Sequence, residues 1–74
     1  MAAYLNLDGD SGVSSYEIGS DYIQVIFSTG ATYLYNYTKP GQQAVEEMKR
    51  LAKAGRGLNE YINRYVRSNY ASKS

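Results

Sequence analysis

The sequence contains no cysteine, no histidine and no tryptophan, and it has a single proline among its 74 residues. The missing cysteine excludes a disulfide framework, and the two absences together exclude the usual zinc sites and Cys- or His-based catalysis. No apolar run approaches the roughly 20 residues of a membrane-spanning helix. The N-terminus also lacks the basic and apolar regions of a signal peptide. We therefore expect one small soluble domain in the cytoplasm, without membrane contact, metal or other cofactor.

The charged residues are unevenly distributed along the chain. Residues 1–21 contain four acidic residues and no basic one, and residues 22–38 contain no charge. Residues 39–74 contain all eight lysines and arginines against three glutamates. The C-terminal half therefore attracts anions mildly. At a net charge of +1 the chain is still much less basic than a dedicated duplex-DNA binder.

Nine tyrosines are the most unusual feature that is present. Tyrosine can fill core volume while its hydroxyl stays at the wet rim of the core. It can also stack on nucleic-acid bases or anchor a protein interface. The composition alone favours the first interpretation, because a small domain has a thin core.

Residues 22–37 predict a β-hairpin, because two runs of alternating residues flank Gly30. A two-residue loop would pair Val25 with Leu34 and send the tyrosines to the other face. A three-residue loop closed by Gly30 would pair Val25 with Tyr33. We favour the longer loop, since it gathers five residues on one face: Ile23, Val25, Phe27, Tyr33 and Tyr35.

Residues 13–18 predict an earlier strand of the same sheet, because Tyr16 and Ile18 alternate with polar residues. A two-residue turn at Ser20 and Asp21 would pair this strand with the hairpin. The result is a three-stranded antiparallel β-meander with one apolar face, which needs a cover.

Two helices are predicted to provide that cover. The first begins at Pro40 with Thr38 as its cap and ends at Gly55. Its apolar residues recur at helical spacing: Ala44, Val45, Met48, Leu51 and Ala52. The second runs over residues 58–70, and Val66 broadens its apolar stripe of Leu58, Tyr61, Ile62 and Tyr65. The sequence therefore predicts an α+β domain of order βββαα.

The two ends of the chain lie outside the predicted domain, which spans residues 13–70. Residues 1–12 are expected to be a flexible segment, and residues 71–74 a disordered tail with nothing to pack against. Asp8 and Asp10 lie near glycines, as at the start of a calcium loop. The later ligand positions are wrong for such a loop, so we expect no metal there.

In this order the pieces resemble the KTSC domain, the short C-terminal domain of some lysyl-tRNA synthetases. The matching features are Val13-Ser14-Ser15, Ile23-x-Val25-x-Phe27-x-x-Gly30, Tyr33-x-Tyr35, Pro40, Gly55 and Asn59-x-x-Ile62. They span about residues 13–66. The first hairpin is shorter than the family usually shows, and Gly57-Leu58 replaces two aromatic residues. The resemblance implies a βββαα domain in a small bacterial protein, with RNA as a suggested partner.

The first candidate binding surface is basic and lies on the helical half. It consists of Lys49, Arg50, Lys53, Arg56, Arg64 and Arg67. These six cations could hold the phosphates of RNA or another anionic polymer, with an affinity that falls steeply in salt. Tyr33 and Tyr35 could add stacking if a ring edge is exposed, although the favoured register packs both under the helices. The alternative is an ordinary solvated helix surface.

The second candidate surface is the sheet face that the helices leave open. Ile26 and Leu34 would lie close together there, framed by polar residues. A protein could bind this patch, and a second copy of the chain, giving a homodimer, is the simplest partner. The N-terminal segment could instead cover the patch. No pattern points to an enzyme, so the sequence predicts a non-enzymatic binding module of undecided ligand class.

Overall fold

The computed structural model describes residues 2–5, 7 and 12–74, in which an antiparallel sheet is covered on one face by helices. The strands are β1 (Ala2–Ala3), β2 (Val13–Ile18), β3 (Tyr22–Phe27), β4 (Thr32–Asn36) and β5 (Ser72–Lys73). The helices are α1 (Gln42–Ala54) and α2 (Leu58–Tyr61), and α2 continues into a π-helical segment (Ile62–Val66). The predicted α+β class is confirmed. The sheet has five strands in the order β1-β2-β3-β4-β5, because both ends of the chain add an edge strand to the predicted meander.

Both predicted hairpin registers are confirmed. Strands β3 and β4 place Val25 opposite Tyr33 and Ile23 opposite Tyr35, as the three-residue loop requires. Strands β2 and β3 place Ile18 opposite Ile23, as the two-residue turn requires. Most apolar side chains of the three central strands therefore share the face towards the helices, and Ile26 and Leu34 lie on the other face.

The core lies between this face and the helices. Six large side chains are fully buried in it: Ile23, Val25, Tyr35, Val45, Met48 and Leu58. The aliphatic residues come from the sheet and from both helices, and Tyr35 is the single aromatic ring among them. The predicted packing of Tyr35 under the helices is therefore correct.

The first helix begins two residues later than predicted, at Gln42 rather than Pro40. The side-chain oxygen of Asn36 accepts hydrogen bonds from the amides of Thr38 (3.0 Å) and Lys39 (2.9 Å). This arrangement fixes a turn directly after β4, so Thr38 cannot cap a helix. Gly41 precedes the helix without a side-chain cap, and the predicted end at Gly55 is confirmed by its left-handed φ of 78°.

The second helix is shorter than predicted and changes type. After α2 the chain forms wider, π-helical turns up to Val66, so the buried residues recur at every fourth position: Leu58, Ile62 and Val66. Tyr65, which an α-helical stripe would bury, is 65% exposed. Tyr70 leaves the helix and packs, half-buried, against the core.

Residues 71–74, which were predicted to be a disordered tail with nothing to pack against, pair with β4 in the structure. The amide of Thr32 donates to the Ser74 carbonyl (3.1 Å), and the amide of Ser74 donates to the Thr32 carbonyl (2.8 Å). These bonds satisfy backbone groups that an open edge of β4 would leave unpaired.

The described part of the N-terminal segment, which was predicted to be flexible, contacts both the sheet and the helices. Ala2 pairs with Tyr16 of β2, and Tyr4 is buried with its hydroxyl accepting a hydrogen bond from the Leu58 amide (3.2 Å). The Leu7 amide donates to the Gly55 carbonyl (2.7 Å). Tyr4, Leu5 and Leu7 therefore lie against the helical half and not over the open sheet face. The expectation for Asp8 and Asp10 lies outside the described residues.

Candidate functional site

A cleft of about 340 Å³ lies between the β3–β4 hairpin and the second helical region. Its lining combines aromatic, amide and basic side chains: Phe27, Thr29, Ala31, Tyr33, Tyr35, Asn59, Ile62, Asn63 and Arg67. Ligand pockets in proteins begin at about 300 Å³, so the cleft can take one small group and not an extended molecule. It brings together three of the predicted site residues, namely Tyr33, Tyr35 and Arg67.

Tyr33 is the centre of the aromatic wall of this cleft. Phe27 and Tyr70 meet its ring edge-on, with centroid distances of 5.3 and 5.0 Å, and Tyr35 lies nearly parallel to it at 6.4 Å. The Lys73 ammonium lies 5.4 Å from the centroid of the Tyr33 ring, within the range of a cation–π interaction. A cation from the C-terminal strand is therefore placed beside an aromatic ring of the cleft.

Tyr35 is buried beneath this wall. It has no exposed surface, and its hydroxyl has no hydrogen-bond partner among the residues that the structure describes. Burial raises the pKa of Tyr35 well above its ordinary value, and the neighbouring Tyr33 and Tyr70 raise it further. The hydroxyl therefore remains a neutral donor and acceptor across the physiological pH range.

The helical wall of the cleft presents two amides and a guanidinium at four-residue intervals. In a regular α-helix, residues eight apart are rotated by roughly 80° from each other, so Asn59 and Arg67 would diverge. The wider π-helical turns reduce this divergence, and Asn59, Asn63 and Arg67 all border the cleft. The π-helical segment is thus the local feature that builds this wall.

The six basic residues predicted as one binding surface have different surroundings in the structure. Lys49 is buried, with its ammonium 2.8 Å from the Glu46 carboxylate and donating to the Ser20 carbonyl at 3.1 Å. This explains why Lys49 is unsuited to bind a ligand, since its charge is already compensated inside the fold.

Two more of these cations are paired with glutamates on their own helices. Arg50 binds Glu47 through two hydrogen bonds, and Arg64 lies 3.6 Å from Glu60. Arg64 borders a second depression, of about 270 Å³, on the side of Tyr61 and Tyr65. That depression is a different site from the cleft. Arg64 and Arg67 therefore border different depressions, although they belong to the same helical region.

The remaining three cations, Lys53, Arg56 and Arg67, are exposed and have no carboxylate within ion-pair distance among the described residues. Lys53 contributes electrostatically to the lowered pKa of Glu46, whereas Arg67 borders the cleft. Arg67 is therefore the predicted cation that the fold combines with Tyr33 and Tyr35.

Several residues that line the cleft or contact the Tyr33 ring beside it were missed by the sequence reasoning. Lys73 and Tyr70 fall in or next to the segment predicted as a tail, and Asn63 is an ordinary polar residue of the helix. Asn59 was noted only as part of the KTSC-like pattern. No local signal distinguishes Lys73 from the other lysines, because its position depends on the pairing of β5 with β4.

The predicted patch of Ile26 and Leu34 lies on the sheet face opposite the helices. Leu34 pairs with Gln24 and Ile26 with Thr32, so the two apolar residues are diagonal neighbours. Both are only half-buried, and neither belongs to the strongly exposed apolar residues, which are Leu5, Leu7 and Tyr65. The exposed apolar area of this patch is consequently small.

The described residues include no group of three acidic side chains able to share a metal ion, and no helix among them is long and apolar enough to cross a membrane. No family model, curated protein or solved structure matches the chain. The resemblance to the KTSC domain therefore stays a prediction.

Proposed function

We propose that the protein is a small non-enzymatic module that binds single-stranded nucleic acid, RNA foremost, at the cleft. The observation that supports this is the position of two cations, Arg67 and Lys73, beside the aromatic cluster of Tyr33, where neither has a carboxylate partner among the described residues. Proteins bind single strands by combining cations that follow the phosphates with aromatic rings that accept the bases. Duplexes lack such accessible bases, so a single strand is the better ligand.

The strength of this binding follows from the number of available cations. Two cations border the aromatic cluster, and Lys53 and Arg56 can add contacts only if the strand extends towards the end of α1. Non-specific nucleic-acid binding typically has dissociation constants of about 1–100 µM at physiological salt. We expect affinities in that range, with a strong decrease as salt is added.

The alternative function, self-association or protein binding at Ile26 and Leu34, has weaker support. Both side chains are half-buried, and a stable interface needs a contiguous apolar surface. RNA binding is also what the resemblance to the KTSC domain implies. We therefore put nucleic-acid binding first.

The decisive test compares two arginines of one helical region. Arg67→Ala removes the cation at the cleft, whereas Arg64→Ala removes a cation paired with Glu60 and serves as the matched control. Fluorescence anisotropy with a short labelled RNA should give about three- to tenfold weaker binding for Arg67→Ala. The slope of the logarithm of affinity against that of salt should fall by about 0.7. Arg64→Ala should bind as the wild type does.

Backbone amide shifts should locate the same surface independently. Addition of the RNA should shift the amides of Phe27, Thr29, Asn63 and Lys73, with smaller changes elsewhere. Shifts confined to Lys53 and Arg56 would instead favour a helix surface away from the cleft. An RNA that gives no shifts even at low salt would refute the proposed function.

A further inference from the structure

We infer that the cleft is a subsite for a single nucleobase, which inserts between the β3–β4 hairpin and the second helical region. This inference rests on the proposed function and adds how a base, as distinct from the phosphates, would be recognised. Three observations support it: the Tyr35 hydroxyl, which has no hydrogen-bond partner among the described residues, the two amides at the cleft, and the aromatic and aliphatic side chains of its walls.

The Tyr35 hydroxyl is the observation that most needs an explanation. A buried hydroxyl without a partner has lost its hydrogen bonds to water and gained none from the protein, which disfavours the folded state. Nearly all buried polar groups in proteins have a partner, and exceptions often mark a functional site. Tyr35 is one of the residues around the cleft, but its hydroxyl is itself buried, so a polar group of an inserted ligand reaches it only when the neighbouring side chains move apart.

Asn59 and Asn63 can form hydrogen bonds with the edge of a base that enters the cleft. Each amide offers donors and an acceptor, which is the pattern that base edges also present. Asn59 is half-buried and Asn63 is exposed, so the two amides lie at different depths of the same wall. A purely aliphatic ligand would leave these groups without partners.

The apolar walls suit a flat group. Phe27 and Tyr33 contribute aromatic surface from the hairpin, and Ile62 contributes aliphatic surface from the helix. At about 340 Å³ the cleft has room for one base but not for a stack of several. Arg67, exposed at the same cleft, is available for the phosphate of the inserted nucleotide.

The test compares a short single-stranded oligonucleotide with the same oligonucleotide in which one central base is replaced by an abasic site. The two ligands have the same phosphates, so any difference in affinity reports the base. The wild-type protein should bind the intact ligand about tenfold more tightly, as expected for one inserted base.

Two substitutions then assign that difference to the cleft. Tyr35→Phe removes the hydroxyl at nearly constant volume, and Asn63→Ala removes one amide from the exposed part of the wall. Each should reduce the preference for the intact ligand by about threefold and leave the salt dependence unchanged. Asn69→Ala, at an exposed asparagine outside the cleft lining, is the matched control and should preserve the preference.

The outcomes separate this inference from the proposed function. If intact and abasic ligands bind equally well while Arg67→Ala still weakens both, the base subsite is wrong and nucleic-acid binding stands. If neither ligand binds at low salt, both proposals fail. A preference that survives both Tyr35→Phe and Asn63→Ala would place base recognition elsewhere and overturn the inference.

Discussion

Lys49 joins helix α1 to the turn between β2 and β3. Its charge was predicted to lie on a binding surface, but its contacts are structural. Its ammonium donates to the Ser20 carbonyl and pairs with Glu46, while the Tyr37 ring lies 5.7 Å away. Tyr37 in turn donates its hydroxyl proton to Glu46 at 2.7 Å. Glu46 is thus the acceptor of a small polar network that spans the sheet, the turn and the helix.

This network predicts a pH dependence of stability. The hydrogen bond from Lys49, and then that from Tyr37, lowers the pKa of Glu46 in the folded state. A carboxylate with a lowered folded pKa stabilises the fold above its unfolded pKa, and this contribution is lost as the pH falls through the folded pKa. We therefore expect Glu46→Gln to be less stable than the wild type at neutral pH, with a gap that closes in acid.

Urea unfolding of both proteins between about pH 7 and pH 3 measures this gap. Lys49→Met supplies the control background, because it removes the main cause of the lowered pKa and should make the gap smaller at neutral pH. A gap that stays constant with pH, or that widens in acid, would contradict the network.

At the scale of the elements, the sequence predicted those strands and turns that depend on a local residue pattern. The hairpin registers followed from alternation and turn length, as Val25 opposite Tyr33 shows. Strands β1 and β5 have only two residues each, Ala-Ala and Ser-Lys, which is too short for any alternation to be visible. They form because the meander has open edges, and that cause lies in the tertiary structure.

The same difference between local and tertiary causes explains which parts of the candidate site could be predicted from the sequence. Tyr33 and Tyr35 could be assigned to one face from the register alone. The position of Arg67 depends on the π-helical segment, and the sequence pattern of residues 58–66 fits an ordinary α-helical stripe equally well. Lys73 reaches Tyr33 only through β5, so the combination of cation and ring could not be predicted locally.

The contact between the N-terminal segment and the interhelical turn gives a prediction at this scale. Gly55 and Gly57 both have positive φ, 78° and 81°, so an alanine at either position is strained by roughly 1–2 kcal/mol. A Cβ on Gly55 would also lie 2.6 Å from the Cβ of Leu5, whereas the single described contact of a Cβ on Gly57 would be with Leu51, at 3.4 Å. Gly55→Ala should therefore lower the free energy of unfolding by about 1 kcal/mol more than Gly57→Ala.

Chemical denaturation of the two variants measures the difference, and Leu5→Gly tests its cause. In the Leu5→Gly background the two alanine substitutions should become nearly equal, since the additional contact is gone. Equal effects in the wild-type background would mean that Leu5 does not pack against this turn.

For the whole molecule, the two faces of the sheet have different roles. The helix-covered face contains the core and ends in the cleft, whereas the opposite face bears Ile26 and Leu34 among polar residues. A stable dimer buries about 1,200–2,000 Å² of total surface, mostly around well-packed apolar residues. Two half-buried side chains cannot supply such an interface, and the two-residue edge strands offer few backbone groups for pairing with another copy.

We therefore expect the protein to be monomeric, and we expect substitutions on the open face to leave the cleft unaffected. Sedimentation velocity over a wide range of protein concentration should give one species of monomer mass, for the wild type and for Ile26→Glu alike. Ile26→Glu should also bind the short RNA with wild-type affinity, because the open face and the cleft lie on opposite sides of the sheet. A mass that rises with concentration in the wild type but not in Ile26→Glu would show instead that this face is an interface between copies. In that event a loss of RNA affinity in Ile26→Glu would mean that two clefts must act together on one strand.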